Sequence, residues 1–478
     1  MATSPLMLDA ETRAELWRRL VEAIESYATK LESSRVTPPL DPAKLRASLS
    51  RFDFSAPVDP FEALDFLVEG LWKFQTHTPH PRYYGLFNPA PTTMGIAGDA
   101  LAAAFNPQLA AWSHSPLAIE IEQHLVRAFG ARFGYDPART DGTFASGGME
   151  ANHTAVLTAL VEKFPEFASR GLRALAAQPV FYVSTEAHHS LLKAARMCGL
   201  GTDAARQIRA DKDLRMDPEA LASEIARDRG QGFAPFLVVA TAGTTSAGAI
   251  DPLPAIAEIA ASEKLWFHVD AAWGGAAALV PELRPLLDGI ERADSIIFDA
   301  HKWLSVPMGA GIYITRNADI LDRTFRIAQT YMPREAAGLD VIDPYMHSMQ
   351  WSRRAIGLKV FLSLAVAGWD GYATAIRHMV AMGALLREQL EASGWQVVNK
   401  TPLPVCCFVD QRHPEGRSEA YLHKIAMQVV ASGKAWVSTT RLAGSVPVVR
   451  ACITNYRTQA PDIEALIAAL EVARSQVS

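Results

Sequence analysis

The residue with the most chemistry to offer is a lysine at the end of an apolar run. The stretch Ser295-Ile-Ile-Phe-Asp-Ala-His-Lys-Trp-Leu304 reads as a buried strand over Ser295 to Phe298, followed by polar or small residues from Asp299 to Lys302. An amine beside such a strand is desolvated. Its pKa falls, and it becomes a nucleophile able to condense with a carbonyl. Taken alone, a loop lysine paired with a carboxylate is the commoner arrangement.

A second stretch shifts the balance. Leu265-Trp-Phe-His-Val-Asp-Ala-Ala-Trp-Gly-Gly275 is another apolar strand, ending in Asp270 and a run of small residues. An aspartate there can hold the proton of a pyridinium ring, and the small residues let a flat ring lie against the backbone. Asp270 by itself would more commonly be a helix N-cap. With Lys302 it completes the pair that pyridoxal phosphate requires, an amine for the aldehyde and an acid for the ring nitrogen.

The segments His268-Val-Asp-Ala-Ala and Asp299-Ala-His-Lys-Trp303 resemble the two signatures of the group II pyridoxal-phosphate amino acid decarboxylases. That family holds the aromatic amino acid, histidine, glutamate, cysteine sulfinate and diaminobutyrate decarboxylases. The resemblance runs from about Phe74 to about Asn455, with several motifs in the same order. It implies a fold-type I transferase-like α/β architecture and a homodimer. The expected domains are a helical dimerisation segment (1–85), a large cofactor-binding α/β domain (86–367) and a small α+β domain (368–478).

Other motifs gain meaning in that setting. Gly147-Gly148 ends a short strand and precedes a helix expected from about Glu150 to Phe164. Glycines there let backbone N–H groups approach an anion at the positive end of the helix. A plain turn is the commoner meaning of Gly-Gly, but the resemblance implies the phosphate-binding turn. Met149 stands where many relatives carry Ser or Thr, so the N–H groups of Gly148 and Met149 must do more of the work. The strand from Val180 runs toward His188 and His189. The resemblance makes His188 the ring that stacks on the cofactor, with His189 as runner-up; a loop histidine is the ordinary reading. Adjacent histidines without a carboxylate cluster do not suggest a metal. Thr245, after the strand from Pro235, matches a threonine near the cofactor, and Thr244 and Thr245 also read as a hydroxyl-capped turn. Ala272 belongs to the small-residue bed. His301 matches a histidine that reaches the phosphate. Asp299, where some relatives have Asn, would repel a phosphate and is expected to turn away, toward a backbone N–H.

The substrate side is less sharply marked. His80-Pro-Arg-Tyr-Tyr-Gly-Leu-Phe-Asn-Pro-Ala90 is an aromatic, turn-rich stretch, a domain boundary on plain reading. The resemblance makes it a pocket wall, with Tyr84, Phe87 and Asn88 as substrate contacts. Arg450, on an expected inner strand, suits bidentate carboxylate capture; a structural salt bridge is equally expected. Residues 328–348 lack periodicity, contain two prolines and read as a mobile lid. In the resembled family such a loop returns a proton to Cα. Tyr345 is the candidate, with Tyr331 and His347 as alternatives.

The elements that must position these groups are legible as pattern. Strands alternate with helices from 142 to 316, which argues for a mostly parallel sheet with helices on both faces. The chemical residues fall at strand C-terminal ends, where such sheets bind ligands. Residues 11–75 read as amphipathic helices that cannot fold alone. From about Gly368 the pattern changes to one helix followed by strands and helices.

Composition closes off other classes. At 478 residues, 49% hydrophobic and 20% charged, the chain is ordinary globular material of two or three domains. A net charge of −5 argues against nucleic acid as a partner. No run of apolar residues suits a membrane span. The first residues lack a signal-peptide pattern. Four cysteines without metal spacing suit a reducing cytoplasm.

The expected function is decarboxylation of a small-molecule L-amino acid to the amine and CO2. Oxidative deamination to an aldehyde, β-elimination or transamination on the same fold, and a non-catalytic scaffold are the rivals. Trp273-Gly-Gly275 and His80-Pro-Arg82 lean toward an acidic or small substrate, while the overall pattern also suits aromatic ones.

Overall fold

β4 (Ala234–Thr241), β5 (Trp266–Asp270) and β6 (Ser295–Asp299) are the centre of the molecule, because their residues are mostly apolar and are buried on both faces. Strands of that kind survive only when covered on both sides. A computed structural model describes residues 4, 6–327, 332, 335, 336 and 338–477. Four more strands flank the central three: β1 (Asp141–Ala145), β2 (Pro179–Ser184), β3 (Ala205–Ile208) and β7 (Gly311–Thr315). The sheet order is β1-β7-β6-β5-β4-β2-β3. β7 runs antiparallel to both neighbours, and all other pairs are parallel. The expectation of a mostly parallel sheet flanked by helices is met.

Alternation along β5 divides its side chains between two layers. Phe267 and Val269 join Val238 and Phe298 in one core. Trp266 joins Leu237, Val239 and Ile297 in the other, together with Ala151 and Ala155 of the helix Gly148–Lys163. Each such large side chain contributes about 1.5–3 kcal/mol when buried. The layer under Gly148–Lys163 is the one toward which Asp270 also points.

A second sheet lies C-terminal. β8 (Trp395–Val397), β9 (Val405–Asp410), β10 (Ser438–Leu442) and β11 (Val446–Cys452) pair antiparallel in the order β10-β11-β9-β8. The long helix Gly357–Ala392 leads to it and breaks at Gly368, whose φ of 65° and ψ of 174° are not helical. Glycine takes that left-handed φ without a Cβ penalty. The break coincides with the change of pattern read from the sequence.

The N-terminal helices Ala10–Lys30, Pro42–Leu49 and Pro60–Lys73 contain no buried residue. Trp17 is 59% exposed and Leu67 60%. Among the described residues, no helix is long and apolar enough to cross a membrane.

Three expectations need correction. The first concerns the helix expected from Glu150, which starts at Gly148 with Gly147 as its N-cap. The second concerns β2, which stops at Ser184, so His188 and His189 sit in the turn before the helix Ser190–Met197. The third is the lid. Its end is a packed 3-10 turn, Pro344–Met346, with Tyr345 N donating to Ala110 O (3.1 Å) and Trp112 N donating to Asp343 Oδ1 (2.7 Å). Tyr331 lies outside the described residues.

Candidate active site at the strand ends

The C-terminal ends of β5 and β6 are tied to each other by the backbone. Asp299 N donates to Ala272 O (2.9 Å), and Ala271 N donates to Ile297 O (3.1 Å). The chain then turns at Ala300, and Lys302 N closes back on Asp299 O (3.1 Å). That turn brings the Lys302 side chain over its own strand end. Nζ lies 2.9 Å from Asp299 Oδ2, with the lysine side chain 22% exposed and the aspartate 2%. Asp299 therefore faces an ammonium, not the backbone N–H expected from sequence. Its Oδ1 has no hydrogen-bond partner.

Asp270 is buried. Oδ2 accepts from Asn152 Nδ2 (2.9 Å) and Oδ1 from Ala272 N (3.1 Å). It caps no helix, so the N-cap alternative falls. In the sequence Asn152 carries no signal beyond being a polar residue on the buried face of an alanine-rich helix.

The Gly147-Gly148 turn meets Asp299 and His301 closely. A Cβ on Gly148 would stand 2.9 Å from Asp299 Oδ2, and one on Gly147 would stand 3.6 Å from His301 Cε1. The helix that begins there has no side-chain cap, so its first N–H groups are open to an anion. His301 Nδ1 accepts from Ala310 N (3.2 Å). Burial holds the His301 pKa below its ordinary value, with the Asp299 charge pulling the other way. A neutral imidazole that accepts at Nδ1 donates at Nε2. An uncapped helix N-terminus, a Cβ-free backbone and a neutral donor fit the phosphate of pyridoxal phosphate. Met149 packs its side chain into the layer beneath the helix, leaving only its backbone for this task.

His188 is exposed in the turn after β2, and its Nδ1 accepts from Ser190 N (3.2 Å). Thr244 Oγ1 accepts from Ala249 N (3.1 Å), the capped turn expected. Thr245 contributes its carbonyl to Arg450 Nε (2.9 Å).

On the other side stands an aromatic wall. Phe87 stacks on Trp273 with centroids 4.7 Å apart and planes at 26°. Lys302 Nζ is 5.7 Å from the Phe87 centroid and the Arg450 guanidinium 4.9 Å. Arg450 is 3% exposed. Besides Thr245 O it donates to Ser246 O (3.2 Å) and Gly85 O (2.8 Å), while Nη2 has no partner. No carboxylate among the described residues pairs with it, so the salt-bridge alternative is set aside. Its fork is also mostly engaged by carbonyls, which leaves Nη2 for a ligand in place of the bidentate grip expected.

One expected substrate contact stands elsewhere. Tyr84 is 0% exposed and belongs to the main core. Its backbone bonds Trp436 O (2.9 Å) and Cys452 N (2.9 Å), so strand pairing with the C-terminal region draws it inward. Asn88 turns Nδ2 toward Met308 Sδ (2.8 Å). Tyr345 is buried against Trp351, ring centroids 4.9 Å apart. His347 is bound to Asp141 at 2.8 Å. Asp141 begins β1, at the end of the strand away from the Gly147-Gly148 turn, so His347 is engaged there.

Comparison with known proteins agrees with this geometry. Residues 47–410 match the family model described as the pyridoxal-dependent decarboxylase conserved domain. The aromatic-L-amino-acid decarboxylase of Bacillus atrophaeus is 31% identical over 483 residues, covering 99% of this chain and 98% of that protein. The cysteine sulfinic acid decarboxylase of Mus musculus is 33% identical over 338 residues, 70% of this chain and 68% of the relative. The crystal structure of Oryza sativa TDC with PLP and tryptamine superposes with a TM-score of 0.90 at 26% identity, covering 100% of this chain and 99% of that one.

Proposed function

The chain belongs to the pyridoxal-dependent decarboxylase family, and from that premise we propose how its residues divide the work and what substrate they take. It is a pyridoxal-phosphate-dependent carboxy-lyase acting on an amino acid. The observation that carries the assignment of roles is the Lys302 amine lying beside Asp299, on the same strand-end platform as Asp270. When bound, pyridoxal phosphate supplies an aldehyde that condenses with amines and a ring that takes up the electron pair left by CO2.

Lys302 would hold the cofactor's aldehyde through its amine. Asp270 holds the proton at the ring nitrogen. His188 covers the ring face. The N–H groups of Gly148 and Met149 and His301 Nε2–H hold the phosphate. Thr245 and Ala272 line the bed. Phe87, with Trp273 behind it, closes one wall and excludes water. The assay is CO2 release with recovery of the amine over a panel of L-amino acids. Ammonia and peroxide appearing in place of the amine would overturn the assignment.

The substrate proposed is an L-amino acid with a second acidic group. Its support is the buried, unpartnered Nη2 of Arg450 beside the Phe87 wall. Arg450→Lys is expected to raise KM for such a substrate about tenfold, a charge-assisted hydrogen bond being worth about 1.5–3 kcal/mol, with kcat little changed. Aromatic substrates turned over best, at an unaltered KM in the variant, would contradict it.

The protein is also proposed to act as a homodimer, with 1–85 as the dimerisation segment, 86–367 as the cofactor domain and 368–478 as the small domain. Support comes from the uncovered apolar faces of the N-terminal helices and from the break at Gly368. Four free cysteines, three of them buried, suit a cytoplasmic setting. Tyr345 is proposed as the acid that returns a proton to Cα, acting in the partner's site. Its turn is buried and bonded to Ala110 and Trp112 of its own subunit. Mixed dimers of Lys302→Ala and Tyr345→Phe subunits then contain one whole site. Statistical mixing should restore about a quarter of wild-type activity from two inactive parents. No recovery would place Tyr345 in its own subunit's site or outside catalysis.

A further inference from the structure

Behind Asp270 runs a line of buried polar groups that the division of roles above does not use. Trp266 Nε1 donates to Ser295 Oγ (2.9 Å). Ser295 Oγ lies 2.8 Å from His268 Nδ1, and His268 Nε2 lies 3.2 Å from Asn152 Oδ1. Asn152 Nδ2 reaches both Asp270 Oδ2 (2.9 Å) and Ser190 Oγ (2.9 Å). Ser295 and His268 are 0% exposed, Asn152 1%, Trp266 2% and Asp270 4%.

The two ends fix the direction of every link. An indole N–H can only donate, and a carboxylate can only accept. Asn152 must therefore turn its NH2 to Asp270, which leaves its carbonyl facing His268. That oxygen accepts, so His268 Nε2 carries the hydrogen. Burial keeps this imidazole neutral, its pKa lowered to about 4. Nδ1 is then bare and accepts from the Ser295 hydroxyl, which itself accepts from Trp266. Each group donates toward Asp270.

Two donors, Asn152 Nδ2 (2.9 Å) and Ala272 N (3.1 Å), fix the orientation of this buried carboxylate. The second Asn152 hydrogen holds Ser190, whose N–H is bonded to His188. One amide thus fixes both the acid and the turn that carries the covering ring.

We propose that Asn152 is a positioning residue: as the last donor of a buried one-way chain from Trp266, it holds the Asp270 carboxyl group turned to the ring nitrogen. The inference rests on the proposed pairing of Asp270 with that nitrogen.

The test compares two ligands on cofactor-stripped protein, by quenching of tryptophan fluorescence. One is pyridoxal phosphate; the other is its analogue with carbon in place of the ring nitrogen. Asn152→Leu keeps the volume and removes the donor. It should bind pyridoxal phosphate about tenfold more weakly, the worth of a hydrogen bond to a charged group. Its affinity for the carbon analogue should stay at the wild-type value. Ser295→Ala, which breaks the chain two links upstream, should show a smaller loss with the same selectivity and serves if the leucine variant does not fold. Equal losses for both ligands, or no loss, would reduce Asn152 to a packing residue and overturn the proposal. Wild-type protein that binds both ligands equally would fail the pairing of Asp270 with the ring nitrogen, and this inference with it.

Discussion

Lys302→Ala is expected to remove the visible absorbance band of the cofactor-bound protein and to lower kcat/KM by about 10³-fold or more, as loss of a covalent nucleophile does in other enzymes. The side chain does two jobs that the substitution separates. It is the amine at the strand-end platform, and it neutralises Asp299, whose carboxylate is 2% exposed. Removing it leaves a buried anion without its partner, an outcome that costs about 3–5 kcal/mol in fully buried pairs and less here, where the lysine side chain is 22% exposed. Lys302→Arg distinguishes the two jobs. Arginine keeps a cation near Asp299 but cannot condense with an aldehyde, because it stays protonated. Both variants should be inactive, and only the alanine variant should melt clearly lower. Spectra and CO2 release measure the first effect, thermal unfolding the second. An alanine variant with an intact visible band would remove Lys302 from the proposed role.

The second large effect is at Asp270. Asp270→Asn preserves shape but cannot hold a proton on the ring nitrogen as a counter-charge. Loss of a positioned acid–base group lowers rates by about 10²–10⁴. The drop should fall on kcat with the cofactor still bound at saturation. The substitution also alters hydrogen bonding, since the new amide faces Asn152 Nδ2, previously a donor to a carboxylate (2.9 Å). An amide has one acceptor oxygen where the carboxylate has two, so either Asn152 Nδ2 or Ala272 N loses its acceptor, and a small fall in melting temperature accompanies the rate effect. A kcat within a few-fold of wild type would show that the acid at this place is dispensable.

Some of the site could be read directly along the chain. Lys302 and Asp270 each close an apolar strand, and such strands announce themselves by composition. Gly147-Gly148 alone reads as a plain turn and gains its meaning only beside Asp270 and Lys302 in the same order along the chain. The Asp299 partner is not legible in the sequence, because the ion pair depends on the turn at Ala300 to His301, which folds Lys302 back over Asp299. Tyr84 is illegible for a related reason. Aromatic residues in a turn-rich stretch look alike, and only pairing with Trp436 and Cys452 decides that Tyr84 faces inward while Phe87 meets Trp273. His347 looked available as an acid until Asp141 claimed it.

What the sequence determined by itself is local: which segments are strands, where they end, and which reactive side chains stand at those ends. Hydrophobic period and turn chemistry act over a few residues, so a single chain displays them. What only the tertiary structure decided is partnership. Asn152 with Asp270, His268 with Ser295, Arg450 with Thr245 and Gly85, and the Tyr345 turn with Ala110 join residues far apart in the chain. A buried polar group must find a partner wherever packing leaves one, at a cost of about 1–3 kcal/mol if it fails. That constraint is satisfied in space, through sheet order and helix placement, and leaves almost no trace in the spacing of residues.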